Sequence, residues 1–358
     1  MRANQLKCIH GCILFISLTF FGFGLNWLVN SYEGKEPVNS YERKNPSTID
    51  NVDAGCWNKD FRKIVGKGFY RCRKGVMKWS RADVIKELMK FKDVYDNRPS
   101  ATNKWGTRIM HQFGLWIIIR QLDPLYIIES GINSGLGTWM LRQAAPTAKL
   151  IMLEPSKTNL IYKDTMNDSV YLQGVNFKDF SEVKWEKYIS NMDRSLVFFD
   201  DHQSHYKRVK QSKDLGFKHL VFDDNGHPTK GDVYSISQAC DAGRCITDMV
   251  NEGVKIVMKD NFGKVKKVIS DEESIKMAQY IYDSIDTYYQ VHPLWNITKA
   301  RRKKIGFYLL PHDISYKINP LPLLTKQQAE IYQKNFTHQP LQMDDLNQYA
   351  NMCYIRLK

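Results

Sequence analysis

The chain lacks the repeated C-x-x-C spacing of a zinc ribbon, so its seven cysteines in 358 residues do not point to a structural zinc site. No internal repeat is present, and no nucleic-acid-binding motif is visible. Acids are short, 38 against 52 Lys and Arg, which leaves a net charge of +14. The excess is scattered over Arg71-Cys72-Arg73-Lys74, Lys207-Arg208, Lys264 to Lys267 and Arg301 to Lys304. Most of it therefore reads as solvated faces. The sharper reading is an acidic partner, such as a sulfated or uronic-acid-bearing glycan or an anionic membrane surface. Nucleic acid is disfavoured. A hydrophobic content of 43% is ordinary for a folded domain and excludes disorder of the whole chain.

Charge is also missing from one stretch. Residues Ile9 to Val29 are almost uniformly apolar, and about 20 such residues span a bilayer as a helix. A cleavable signal peptide would have a shorter apolar core and a small-x-small site, but Asn30-Ser31-Tyr32-Glu33 follows instead. Arg2 and Lys7 precede the span, which leaves the amino terminus cytosolic. The expected layout is a single-pass type II membrane protein of the Golgi or endoplasmic reticulum, with a lumenal body. Asn167-Asp168-Ser169, Asn296-Ile297-Thr298 and Asn335-Phe336-Thr337 are glycosylation acceptor triplets in keeping with that layout. Cys56, Cys72, Cys240, Cys245 and Cys353 would face an oxidising compartment. The simplest local pairs are Cys56–Cys72 and Cys240–Cys245, with Cys353 outside both.

In order, residues 1–8 read as a cytosolic tail, 9–29 as a transmembrane signal anchor, 30–50 as a polar stem, and 51–100 as an N-terminal extension. Residues 101–310 form the main body, with an irregular insertion near 236–268, and 311–358 a C-terminal extension with an edge strand. Within the body, apolar positions predict helices over 81–94 and 104–122. Four apolar runs each end in an acid or an acid pair: Leu125 to Glu129, Leu150 to Glu154, Leu196 to Asp201, and His219 to Asp224. Such runs read as parallel strands with a site along one sheet edge. Val170 to Val175 is a further strand. A helix from about Gln203 stops at Gly216, a C-cap signal. A long amphipathic helix runs from Asp271 to about Tyr289, and Ile305–Leu310 with Met352–Leu357 suggests an edge hairpin.

The turn after the first strand reads Glu129-Ser130-Gly131-Ile132-Asn133-Ser134-Gly135-Leu136-Gly137. Glycines at a strand-to-helix turn let backbone approach a ligand closely, and the helix amino terminus favours electron-rich groups. Glu154, ending the next strand, is placed to bind both ribose hydroxyls of a nucleoside. The spacing is not that of a dinucleotide fingerprint. It resembles the first motif of class I S-adenosylmethionine-dependent methyltransferases, E/D-x-G-x-x-x-G-x-G. That resemblance, over roughly residues 103 to 235, implies a Rossmann-like, doubly wound, mostly parallel α/β sheet behind the transmembrane helix. It implies S-adenosyl-L-methionine as cofactor, held by Glu129, Gly131, Gly135, Gly137 and Glu154, with Asp179 near the adenine.

Phe199-Asp200-Asp201-His202 and Phe222-Asp223-Asp224-Asn225 are similar to the acidic strand ends of metal-dependent O-methyltransferases of the catechol and sugar type. By that resemblance Asp200 or Asp201, together with Asp224 and Asn225, would hold Mg²⁺ or Mn²⁺ through oxygen ligands. The catechol-type lysine after the fourth strand is absent, since Gln203 and Ser204 stand there. His202, His205 and His227 are the substitute general bases on chemical grounds. The expected activity is O-methylation of a sugar or other hydroxyl-bearing acceptor. A lumenal metal-dependent glycosyltransferase shares the anchor-and-stem layout, and a catalytically silent glycan- or partner-binding domain is the third class. Cofactor binding separates them.

Overall fold

A computed structural model describes residues 80–103, 106–156, 159–166, 169–225, 234–240, 256–259, 265–269, 271–295, 322–346 and 351–358. The span expected at 9–29 lies outside them, as do Cys56, Cys72, Cys245, His227 and strand 305–310. Among the described residues no helix is long and apolar enough to cross a membrane. The chain divides into two units, residues 1–50 with 79–89, and residues 51–78 with 90–358. Of the first, only the start of helix α1 (Arg81–Tyr95) is described. Ser80 and Asp83 cap it reciprocally, each backbone N–H bonding the other's side chain.

The second unit is built on α2 (Ile109–Leu122), β1 (Tyr126–Ser130), α3 (Leu136–Ala144), β2 (Lys149–Glu154), β3 (Val170–Gln173), β4 (Ser195–Phe199), α4 (His205–Asp214) and β5 (His219–Phe222). Helix α5 (Ile236–Cys240), strands β6 (Ile256–Lys259) and β7 (Val265–Ile269), α6 (Asp271–Ser284), β8 (Ile285–Gln290), α7 (Lys326–Lys334), α8 (Met343–Leu346) and β9 (Cys353–Leu357) follow. Seven strands make one sheet in the order β3-β2-β1-β4-β5-β9-β8. Strands β1 to β5 pair in parallel, and β9 runs antiparallel between β5 and β8. This is the mostly parallel, doubly wound α/β class expected from the sequence. The chain winds outward from β1 to β3 and returns to place β4 beside β1, so the winding reverses between β1 and β4.

Parallel strands covered on both faces must be apolar throughout. All five residues of β4 are buried, and so are all but the first of β1 and β2. Helix α2 is apolar nearly all round, and Ile109 through Ile119 are buried. An aromatic cluster of Phe180, Trp185, Phe199 and Phe217, with ring centroids 5.0–5.4 Å apart, fills the core.

Two expectations are corrected. The helix predicted to reach Tyr289 ends at Ser284, and Ile285–Gln290 is a strand rich in Ile, Thr and Tyr. Strand β9 is consequently an inner strand, paired antiparallel with β5 on one side and β8 on the other. The region 236–268 is also more regular than expected, since it contains α5 and the antiparallel β6–β7 pair. Cys353 is buried at the start of β9. Of the glycosylation triplets, Asn335-Phe336-Thr337 is wholly described: Asn335 ends α7, Phe336 is buried, and the Thr337 N–H bonds Asp96.

Candidate functional site

Register decides which residues share the carboxyl edge of the sheet. Ser130 lies opposite both Leu153 and Phe199, and Phe199 opposite Phe222. One residue further on, Gly131, Glu154, Asp200 and Asp223 therefore stand in a row at the point where the winding reverses.

The Gly-rich turn is packed against the protein's own backbone. Gly131 has φ +92°, and a Cβ there would sit 2.1 Å from the Asp200 carbonyl oxygen. Gly135, at φ +86°, would place a Cβ 2.1 Å from the carbonyl oxygen of Tyr162. A Cβ on Gly137 would meet a Glu129 carboxyl oxygen at 2.3 Å. Gly131 and Gly135 are thus required by close approach to backbone, before any ligand is considered, whereas at Gly137 the obstacle is only the end of the Glu129 side chain. The Glu129 carboxyl folds back onto α3, accepting from the Thr138 hydroxyl at 2.5 Å. Burial pushes it up to about 8. Glu154 accepts from the Ile132, Asn133 and Ser156 N–H groups at 3.2, 3.4 and 3.0 Å, and so ties β2 to the turn. All five cofactor-binding candidates from the turn and β2 converge here.

Asp179 is held by a different partner. Its two oxygens accept from the guanidinium of Arg208 at 3.0 and 2.9 Å, and it caps the short turn Phe180–Glu182. Burial opposes its ionisation, but the Arg208 hydrogen bonds and charge hold it well below the usual carboxylate range. Arg208, buried beneath α4, also bonds Asp201 at 2.6 Å. Asp201 accepts in addition from the Ser130 hydroxyl at 2.6 Å and the Gln203 N–H at 3.2 Å.

That answers the choice between Asp200 and Asp201 in one respect: Asp201 is committed to Arg208 and Ser130. Asn225 is committed as well. Its amide oxygen accepts from the Ser237 N–H at 2.7 Å, and its NH₂ donates to Gln290 at 2.8 Å. Asp201 and Asn225 thus both carry hydrogen bonds within the fold, whereas Asp200 lies close enough to Asp224 to feel its charge. Among the described residues, no group of three or more His, Cys, Asp and Glu is arranged to hold a metal ion.

What assembles here is a cluster of Asp200, Asp223 and Asp224 with two histidines. Asp200 is pushed well above the usual range by burial and then by the charges of Asp223 and Asp224. Asp223 Oδ1 lies 3.1 Å from His111 Nδ1. His111, on α2, also contacts Asn351 Oδ1 through Nε2 at 2.7 Å, and Asn351 Nδ2 donates to Asp224 Oδ1 at 3.3 Å. Burial opposes a charged His111, but Asp223 raises it to about 9. Asp224 Oδ2 is 3.4 Å from Nδ1 of His202, whose side chain is half exposed. Burial works against the Asp224 carboxylate, yet the His202 contact holds it below its ordinary value. His202 and Asp224 both adopt left-handed backbone, φ +53° and +45°, as does Asn133 in the Gly-rich turn. Such conformations in non-glycine residues concentrate at functional sites.

The three candidate bases now separate. His205 is buried, stacked 4.4 Å from the Phe222 ring, and its Nδ1 accepts from the Ile236 N–H at 3.2 Å, so it serves packing. His227 lies outside the described residues. His202 opens toward solvent beside an orienting carboxylate. Sequence reading missed His111, Asn351 and Arg208. The one available signal was His111 itself, a polar ring in a helix apolar on every side.

No protein-family model matches the sequence, and no curated protein matches it. Similar solved structures include an O-methyltransferase from Bacillus cereus in complex with SAH, at 11% identity over 56% of this chain and 76% of that one, TM-score 0.29. The structure described as cmcI-D160 Mg-SAM is 13% identical over 50% and 80%, TM-score 0.27. The O-methyltransferase TomG from Streptomyces achromogenes, involved in tomaymycin synthesis and bound to SAM, is 13% identical over 52% and 95%, TM-score 0.26. Superposition at this level assigns no activity, so the chemistry rests on this chain's own residues.

Proposed function

We propose that this chain is an S-adenosylmethionine-dependent O-methyltransferase acting on a hydroxyl of a sugar or glycan. The observation that carries the reading is the row formed at the winding reversal. A Gly-rich turn and Glu154 stand on one side, and an acid–histidine cluster on the other, all on the carboxyl edge of a parallel sheet. The residues suit a cationic ligand. Among the described residues nothing hydrogen-bonds the Asp200 carboxyl, and Asp223 and Asp224 add negative charge beside it. A sulfonium would relieve that repulsion.

When bound, the cofactor would supply an electrophilic methyl group and depart as a thioether. Glu154 would accept from the ribose hydroxyls, exchanging its present bonds to the turn for them. The glycine-bearing turn would set the distance between that carboxylate and the acid cluster. His202 would take the proton of the acceptor hydroxyl as the new O–CH₃ bond forms, and Asp224 at its Nδ1 would fix the ring and stabilise the imidazolium. Of the residues that the resemblance offers to a metal, Asp201 and Asn225 are hydrogen-bonded within the fold, and no step here is routed through a metal. The lumenal setting belongs to the same proposal; it rests on the apolar run at 9–29 and the acceptor triplets in the sequence.

The test is calorimetric titration of the full chain, solubilised in detergent, with S-adenosylhomocysteine, repeated on Gly135→Arg. Binding in the wild type that Gly135→Arg abolishes is the expected result. A folded protein that ignores S-adenosylhomocysteine but binds a nucleotide sugar with Mn²⁺ would shift the assignment to glycosyl transfer.

A further inference from the structure

We infer that His111 and Asn351 are positioning residues of the same site, together fixing the Asp224 carboxylate that orients His202. The inference rests on the methyl-transfer reading only for what His202 then does. The relay joins four distant parts of the chain. His111 comes from α2, Asp224 and His202 from the turns after β5 and β4, and Asn351 from the segment entering β9.

Hydrogen-bond logic fixes the direction of the links from Asp224 through Asn351 to His111. A carboxylate only accepts, so the end of the Asn351 amide facing Asp224 must be its NH₂. The carbonyl end then faces His111 at 2.7 Å, and Nε2 of His111 has to donate. His111 thus donates to Asn351 through Nε2, with Nδ1 lying 3.1 Å from Asp223 Oδ1 outside hydrogen-bond geometry. Releasing Asn351 would leave the buried Nε2–H of His111 without its acceptor. The backbone supports the same geometry, because the Asn225 N–H donates to the Asn351 carbonyl at 2.6 Å. This pins the turn that carries Asp224. Asp224 holds left-handed backbone there, an arrangement that needs outside support.

The readout needs no acceptor. Diethyl pyrocarbonate modification of His202, which is half exposed, is followed by mass spectrometry on the full chain. Wild type, Asp224→Asn, Asn351→Ala and His111→Leu are compared, each accepted only if it keeps a cooperative thermal melt. His111→Gln, which retains an NH₂ donor toward Asn351, is the conservative rescue. The expected result is a several-fold difference between wild type and Asp224→Asn. Asn351→Ala and His111→Leu should reproduce the Asp224→Asn rate, and His111→Gln should return toward wild type. The relay is overturned if Asp224→Asn leaves the rate unchanged, or if the folded Asn351 and His111 variants keep the wild-type rate. S-adenosylhomocysteine titration of the same preparations separates the two ideas. Wild type that fails to bind sinks the methyl-transfer reading alone, and intact binding with an unmoved His202 rate sinks the relay alone.

Discussion

Gly135 and Gly216 offer a matched pair of perturbations. Both hold left-handed backbone, φ +86° and +83°, so replacing either by Ala incurs the same cost of about 1–2 kcal/mol for an L-residue in that region. The entropy that Ala removes from the unfolded chain is also common to both. Their surroundings differ. Around Gly216 a Cβ meets nothing within 4 Å, whereas at Gly135 it would lie 2.1 Å from the Tyr162 carbonyl oxygen. Relieving that overlap means moving the segment that bonds Ser134 through the Ile161 and Tyr162 N–H groups, at 2.8 and 3.3 Å. Each such bond is worth about 1 kcal/mol. Gly135→Ala should therefore cost about 3–4 kcal/mol and Gly216→Ala about 1–2 kcal/mol, read by urea unfolding of the full chain with circular dichroism. Only the first should also weaken S-adenosylhomocysteine binding. Equal losses for the two variants would refute the argument, because the backbone angle alone would then explain both.

Glu129 gives a pH signature of definite sign. Its carboxyl is pushed from 4.5 up to about 8 in the fold, so the folded state holds the extra proton. Its contribution is complete below about pH 4.5 and is lost as the pH rises toward 8. Glu129→Gln should flatten that decline in stability, and a variant that keeps the wild-type slope would rule the shift out. Arg208→Ala removes a buried guanidinium from between Asp179 and Asp201, and should cost about 3–5 kcal/mol in chemical unfolding. A loss within the range of an exposed pair, under about 1 kcal/mol, would show that Arg208 is not the clasp described. Asp179 carries the opposite pH sign to Glu129. Its stabilisation is present above its ordinary value of 3.8 and lost as the pH falls through the lower folded one, so Asp179→Asn should reduce acid sensitivity.

The strands of the parallel half were legible because their physics is local. A strand buried on both faces has to be a short apolar run, and Ile127-Ile128, Leu150 to Leu153, Leu196 to Phe199 and Leu220 to Phe222 are such runs. Acids at the ends of such runs were therefore expected along one sheet edge, and the register confirms this for Glu154, Asp200 and Asp223, while Glu129 falls within β1 and Gly131 takes its place in the row. Where each side chain points was not local. Asp179, in the loop after β3, and Asp201, at the end of β4, give no sign in sequence of a common partner until Arg208 is brought up from the buried side of α4 to take both. The partner of Asn225 was hidden by a misread element. Helix α6 runs into Ile285 with no Gly or Pro between, so the helical pattern gave no reason to stop before Tyr289. That pattern hid β8, and β8 carries Gln290, which receives the Asn225 NH₂. With the strand unrecognised, the sequence offered no sign of this partner for Asn225, which the resemblance alone had singled out. The corrected strand also moves β9 into the sheet, and with it Asn351 to the mouth of the site. Asn351→Ala thus asks whether a residue that no sequence motif marks is what sets His202 in place.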